Sequence, residues 1–242
     1  MARQVVMVRD AVVMLGHYPV LISVDFDAFE GEVVYLYGPN GSGKTTLLRL
    51  IAGYLSVAKG EAKVFGLDAK ADRRAIRQYV GYLGHHAHLY DDLTAEENIR
   101  FAQRVTRTTE DDPLSIAKDL GLSQKTMNLK VHKLSAGQRK RVSMAIATMR
   151  RPQLLLLDEP HAALDEQGKD LVDDLMRRYA ASGRTVIVAS HEVERVKAAS
   201  DRGYLCDRGI LIGPEIAPSR ANTTTKATVQ PSGASQVDGH SD

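Results

Sequence analysis

The chain has 242 residues, 43% of them apolar, with a formal net charge of +2 and a single cysteine, Cys206. That length admits one large domain or two small ones. A near-neutral charge gives no argument for nucleic-acid binding, and one cysteine excludes an intrachain disulfide and suits a reducing compartment. No stretch approaches the ~20 apolar residues of a spanning helix. The N-terminus carries Arg3, Arg9 and Asp10 rather than a signal-peptide core, so a cytoplasmic setting is expected.

Val5–Val8 and Ala11–Leu15 are short apolar runs, and Val20–Phe29 alternates enough for a half-buried strand. Glu32–Tyr37 is apolar, β-branched and aromatic, and reads as a strand. Thr46–Ala52 reads as a helix with Gly53 placed to end it. Between them, Gly38-Pro39-Asn40-Gly41-Ser42-Gly43-Lys44-Thr45-Thr46 fits G-x-x-x-x-G-K-[ST], a phosphate-binding P-loop. The glycines allow a tight turn and close approach to an anion, with N–H groups aimed inward at the positive end of a helix. Lys44 is placed to reach the β- and γ-phosphates, and the Thr45 hydroxyl to ligate Mg²⁺.

Val80–Leu83 is a further candidate strand. Thr94–Glu97 is a capping box starting a helix towards Gln103. Asp111-Asp112-Pro113 is a break and a helix start, and that helix continues over Leu114–Leu120 to Gly121. Leu134-Ser135-Ala136-Gly137-Gln138 holds another capping box, at a helix N-terminus that favours an anion. Val142, Ala145, Ile146 and Met149 share a face of the helix that follows. The run Arg139-Lys140-Arg141 reads as a solvated helix face or a contribution to the phosphate field. The stretch from about 85 to 150 is mostly helical and resembles an insert.

Leu154–Leu157 is apolar throughout, as in a strand buried on both faces, and ends in Asp158-Glu159. Asp158 is placed to hold Mg²⁺ and Glu159 to polarise the water attacking a γ-phosphate. Asp165 begins a helix with Leu171, Leu175 and Tyr179 at helical spacing, and Thr185–Ala189 is a second buried strand. Cys206, in an apolar run, reads as a buried small residue. From about Pro214, Thr, Ser, Ala, Gly and Pro dominate and a disordered tail over 214–242 is expected. Alternating strands and helices predict an α/β layered fold with a mainly parallel core sheet.

The P-loop, the Leu134–Gln138 signature, the acidic strand ending in Asp158-Glu159-Pro160, Ala163-Leu164-Asp165, and His191 after Val188-Ala189-Ser190 occur in this order. Together they resemble the ATP-binding cassette ATPases over residues 3–213. The resemblance implies a RecA-like P-loop NTPase core with an N-terminal antiparallel β subdomain and an inserted helical subdomain. It implies two cassettes paired head to tail, with Ser135 and Gly137 acting in trans and Asp165 in the loop linking the two nucleotide sites. His191 would contact the γ-phosphate and the catalytic carboxylate. Tyr18 falls near the position of an adenine-stacking aromatic, with an ordinary surface or core role as the alternative.

After Val80–Leu83 the family places a glutamine reaching Mg²⁺ and the attacking water; this chain reads Gly84-His85-His86-Ala87-His88. His85 or His86 stands in its place, and imidazole suits Mg²⁺ poorly. A histidine contacting water or phosphate, surface residues, and a transition-metal or haem site are the readings of this cluster.

With one cassette and no span, the resemblance implies the ATPase subunit of a transporter. It would work on the cytoplasmic face of the plasma membrane with a separate integral-membrane subunit docked near residues 84–101. Gly84-His85, Leu93–Asn98 and the signature are similar to the haem-export ATPases of cytochrome c maturation, alongside other small exporters. The competing class is a soluble cassette ATPase acting on DNA or the ribosome. It would want long coiled coils or a second cassette, and a GTPase would want Asn-Lys-x-Asp; none is present.

Overall fold

A computed structural model describes residues 2–85, 88–106 and 113–217. His86, Asp111-Asp112 and tail residues 218–242 lie outside the described residues.

The chain opens with β1 (Gln4–Leu15) and β2 (Tyr18–Phe29), an antiparallel hairpin joined through Gly16. The two apolar runs at the start of the sequence form one strand. Asp10 adopts a positive φ of 44° and the pairing register shifts around it. This bulge is anchored by the Asp10 N–H donating to Asp25 Oδ1 at 2.9 Å and by Lys59 at 2.9 Å. With β4 (Lys59–Val64) and β5 (Leu67–Asp68), these strands make a four-stranded antiparallel sheet in the order β2-β1-β4-β5.

The second sheet carries the site. It is built from β3 (Val33–Tyr37), β6 (Val80–Leu83), β7 (Leu154–Asp158), β8 (Thr185–Ala189), β9 (Arg202–Asp207) and β10 (Ile210–Ile216), in the order β10-β9-β3-β8-β7-β6. β9, β3, β8, β7 and β6 run parallel, and β10 returns antiparallel along β9. The continuous apolar runs of β7 and β8 follow from this placement, since both strands are buried along their whole length. Alternate residues feed two cores. Val33, Tyr35, Leu155, Leu157, Val186 and Val188 face one, and Val34, Leu36, Leu154, Leu156, Ile187 and Ala189 face the other.

The helix α1 (Lys44–Ile51) packs into the second core together with the antiparallel sheet, and α2 (Arg73–Tyr79) contributes Ile76. Between β6 and β7 come α3 (Ala95–Thr106), α4 (Pro113–Asp119), the short α5 (Gln124–Met127), a 3₁₀ turn at Val131–Lys133 and α6 (Ala136–Thr148). These join α7 (Glu166–Ala181) in the first core, and α8 (Val193–Ala198) closes it near β3.

Both capping boxes form. The Thr94 Oγ1 accepts from Glu97 N at 3.1 Å while Thr94 N donates to Glu97 Oε2 at 2.7 Å. Ser135 and Gln138 exchange the same bonds at the start of α6. Asp165 caps α7, accepting from Gly168 N at 2.9 Å. Strand β10 extends through Ile216, past the composition change at Pro214, and its Glu215 bonds the Tyr35 hydroxyl. Among the described residues, no helix is long and apolar enough to cross a membrane.

Candidate nucleotide-binding site

Strand β3 delivers the P-loop at the C-terminal edge of the parallel sheet, where β7 and β8 also end. Gly38 sits at φ 135°, and a Cβ there would lie 2.0 Å from the Cys206 carbonyl oxygen. The backbone can pass this close to β9 only without a side chain. Gly43 is the N-cap of α1, at φ 111°, with no side-chain cap and no acidic residue in the first turn. The first N–H groups of α1 therefore stay uncommitted to side chains, the arrangement an anion uses. Lys44 is buried and its Nζ donates to the loop's own Gly38 and Pro39 carbonyls at 2.7 and 2.9 Å.

Asp158 ends β7 directly beneath the start of α1. The Thr45 Oγ1 donates to its Oδ2 and Oδ1 at 2.9 and 3.1 Å. Burial pushes the Asp158 carboxyl up from its ordinary value; the Thr45 bond opposes this and the Glu159 charge adds to it. Glu159 is buried, with its N–H on the Ala189 carbonyl at 2.8 Å and a positive φ of 51°. Its Oε2 lies 2.7 Å from His191 Nδ1 and accepts from His191 N at 3.3 Å. Through the β7–β8 pairing, the ends of adjacent strands bring Glu159 and His191 together.

A cavity of about 470 Å³ is lined by Asn40 to Thr46, Asp158, Glu159, His85, Leu15 and Val20. Tyr18 is not in this lining. It is 78% exposed, and the apolar wall comes from Leu15 and Val20 instead. His85 is brought to the site, and it also lines a neighbouring cavity with Leu134, Ala136, Arg139 and Lys140.

The signature lies elsewhere on the chain. Ser135, Gly137, Gln138, Arg141 and Asp165 line a cavity of about 350 Å³ whose lining shares no residue with the P-loop cavity. Gly137 lets α6 approach the Asp165 loop, since a Cβ there would meet Ala163 O at 2.7 Å. Arg141 NH2 donates to Asp165 Oδ1 at 2.8 Å.

The basic run after the signature corrects the solvated-face expectation. Lys140 is only 8% exposed, burial pushes its ammonium down from its ordinary value, and the Asp158 and Glu159 charges oppose that push. Arg141 is likewise mostly covered. Cys206 is buried, its Sγ against Ser42 O at 3.4 Å, and burial pushes the thiol up. His161, which the sequence reading passed over, is almost fully buried two residues beyond Glu159. A histidine two residues past the acidic end of a buried apolar strand was the available signal.

Residues 21–162 match the family model described as ABC transporter. The chain is 36% identical over 181 residues to the cytochrome c biogenesis ATP-binding export protein CcmA of Cupriavidus pinatubonensis, covering 74% of this chain and 79% of that protein. It is 35% identical over 202 residues to the glutamine transport ATP-binding protein GlnQ of Escherichia coli, covering 80% and 84%. The structure superposes on the dimeric, post-hydrolysis ATP-binding cassette MJ0796 bound to ADP and Pi. The TM-score is 0.81 at 25% identity, over 88% of this chain and 99% of that one. With its P-loop and acidic strand end on one edge of the sheet and its signature on another surface, the chain belongs to the ABC transporter family of ATP-binding subunits, whose members hydrolyse ATP.

Proposed function

We propose that this chain binds ATP in the Asn40–Thr46 cradle and hydrolyses it with Glu159 as general base. It does so paired with a second cassette whose Ser135 and Gly137, or their equivalents, close over the nucleotide. The observation that carries this reading is the separation of the P-loop and signature cavities within one chain, each holding half of a phosphate-binding set. Water attacks the γ-phosphorus, the bond to the ADP oxygen breaks, and the water proton passes to the Glu159 carboxylate, which His191 orients. Lys44 exchanges its bonds to Gly38 and Pro39 for phosphate oxygens. The hydroxyl of Thr45 and the carboxylate of Asp158 are adjacent hard oxygen donors, and they fit Mg²⁺. When bound, Mg²⁺ neutralises phosphate charge; the residues themselves position the nucleotide and take the proton.

The energy would drive a separate integral-membrane subunit from the cytoplasmic side. Exposed Tyr90 and Phe101, packed edge-on at 5.1 Å, support a docking surface near residues 84–101. Haem export for cytochrome c biogenesis is the favoured cargo, supported by the export-protein relative and by Gly84-His85. Amino-acid import is the second reading, favoured by a glutamine-transport relative that matches over more of the chain. Nucleic acid is not an expected partner.

The test is ATPase activity of the chain reconstituted with its co-purifying membrane subunit in proteoliposomes. Stimulation by haem is expected. Stimulation by an amino acid with its binding protein, and not by haem, overturns the cargo reading.

A further inference from the structure

His161 is a buried titratable group that the proposed chemistry does not use. It follows Glu159-Pro160 and is 1% exposed. Its Nε2 lies 2.9 Å from Asp173 Oδ1 on α7, and the other oxygen, Oδ2, accepts from Arg195 Nε on α8 at 2.8 Å. A carboxylate held by an arginine can only accept, so Nε2 carries the hydrogen of the contact. Its other ring nitrogen, Nδ1, is buried with no hydrogen-bond partner among the described residues. A leucine would fill this site with no unmatched ring nitrogen, but it would leave Asp173 Oδ1 without its His161 donor. What only the ring supplies is the Nε2 donor.

That donor belongs to a larger arrangement. Glu166, Lys169, Asp170 and Asp173 recur at i, i+3, i+4 and i+7, one face of α7. Glu166, Asp170 and Asp173 all bind Arg195. Lys169 Nζ donates to Glu192 Oε2 at 2.9 Å, and Glu192 directly follows His191. One face of α7 therefore grips two turns. It holds the Glu159 turn through His161, and the His191 turn through Lys169 and Arg195. The 2.7 Å contact between Glu159 and His191 lies between the two grips.

We propose that His161 is a positioning residue. Through Asp173 it fixes the Glu159 turn against α7 and so sets the Glu159–His191 contact. This rests on the reading of Glu159 and His191 as the hydrolytic pair. His161 reaches that pair only through the backbone and α7.

The test uses the full chain, in steady-state ATP hydrolysis and in the ¹⁵N resonances of the His191 ring. His161→Leu is expected to lower kcat about tenfold, the scale of a small misplacement of reacting groups, while KM and ATP affinity stay within about twofold. The His191 ring resonances should shift in this variant. In His161→Gln, whose amide nitrogen can donate to Asp173, both kcat and the resonances should return towards wild type. Asp173→Asn has one oxygen to serve two donors and should reproduce the kcat-selective loss; it decides the matter if His161→Leu does not fold. An unchanged kcat, or a loss with the His191 resonances unmoved, overturns the inference. Glu159→Gln is the control. If Glu159→Gln keeps turnover, the hydrolytic pair itself is misassigned. If it is inactive while His161→Leu is unaffected, only the positioning role fails.

Discussion

Replacing Glu159 by Gln isolates the proton-transfer step, because almost everything else about the residue is preserved. Glu159 is buried at a φ of 51°. The left-handed backbone costs roughly 1–2 kcal/mol, but Gln incurs the same cost, so it cancels. The glutamine oxygen can still accept from the His191 N–H that now donates to Oε2 at 3.3 Å. Removing this charge relieves repulsion on the buried Asp158. It also withdraws one of the two charges that support the buried Lys140 ammonium, so the effects on the nucleotide-free protein oppose each other. What is lost is the base, and general-base catalysis contributes ~10²–10⁴ in rate, or roughly 3–5 kcal/mol of barrier. Phosphate release should fall by that factor while equilibrium binding of ATP is retained. Light scattering should show an ATP-bound pair accumulating. Lys44→Ala is the complementary control and should lose ATP binding. Turnover of Glu159→Gln within tenfold of wild type would refute the assignment, and a monomer under saturating ATP would refute the paired site.

Two glycines of the same loop should respond differently to alanine. Gly41 faces open space at φ 78°, whereas a Cβ on Gly38 meets backbone at 2.0 Å. Urea unfolding should show a loss of roughly 1–2 kcal/mol for Gly41→Ala and a much larger one for Gly38→Ala; equal midpoints would contradict the close approach to Cys206. The depressed Lys140 ammonium makes a pH prediction. The folded state holds that proton less tightly than the unfolded state, so stability is deficient at neutral pH and recovers as pH rises towards the ordinary lysine value. Lys140→Met should therefore melt higher than wild type at pH 7, with the gain shrinking towards pH 10; no gain at pH 7 would count against it. His85→Gln should keep or raise ATPase activity, and complete loss would give the imidazole a role of its own.

Much of the site was legible because its signals are local. A P-loop is read from nine consecutive residues, Gly38 to Thr46, and a strand buried on both faces announces itself as an unbroken apolar run at Leu154–Leu157. The capping boxes at Thr94 and Ser135 are likewise fixed by three-residue spacings. What escaped depends on distant partners. Strand β4 is mostly exposed and charged at Lys59, Glu61 and Lys63, and exists because β1 lies alongside. Lys140 looks solvated beside Arg139 and Arg141, yet the turn of α6 carries it inward towards Asp158. Tyr18 pairs with Leu15 and precedes Val20 by two residues, and both of those apolar residues line the cavity, yet its own side chain is exposed. A strand's register through a bulged hairpin cannot be counted from sequence.

The pairing of β3 also governs how the protein can be made. The P-loop strand has β8 on one side, with Val33 opposite Val186, and β9 on the other, with Val34 opposite Arg202. Both neighbours emerge from the ribosome long after the loop they steady. Such distant pairing delays folding and leaves β3 with two open edges while the helical segment is synthesised. A chain halted before Thr185 has the entire Gly38–Thr46 motif but neither of the strands that flank β3. Ribosome-released fragments of that length are expected not to retain ATP on a nucleotide column, and retention would mean that the loop assembles without its neighbours. Nucleotide capture is then expected late in biogenesis, once Cys206 is synthesised and β9 can back the first glycine of the loop.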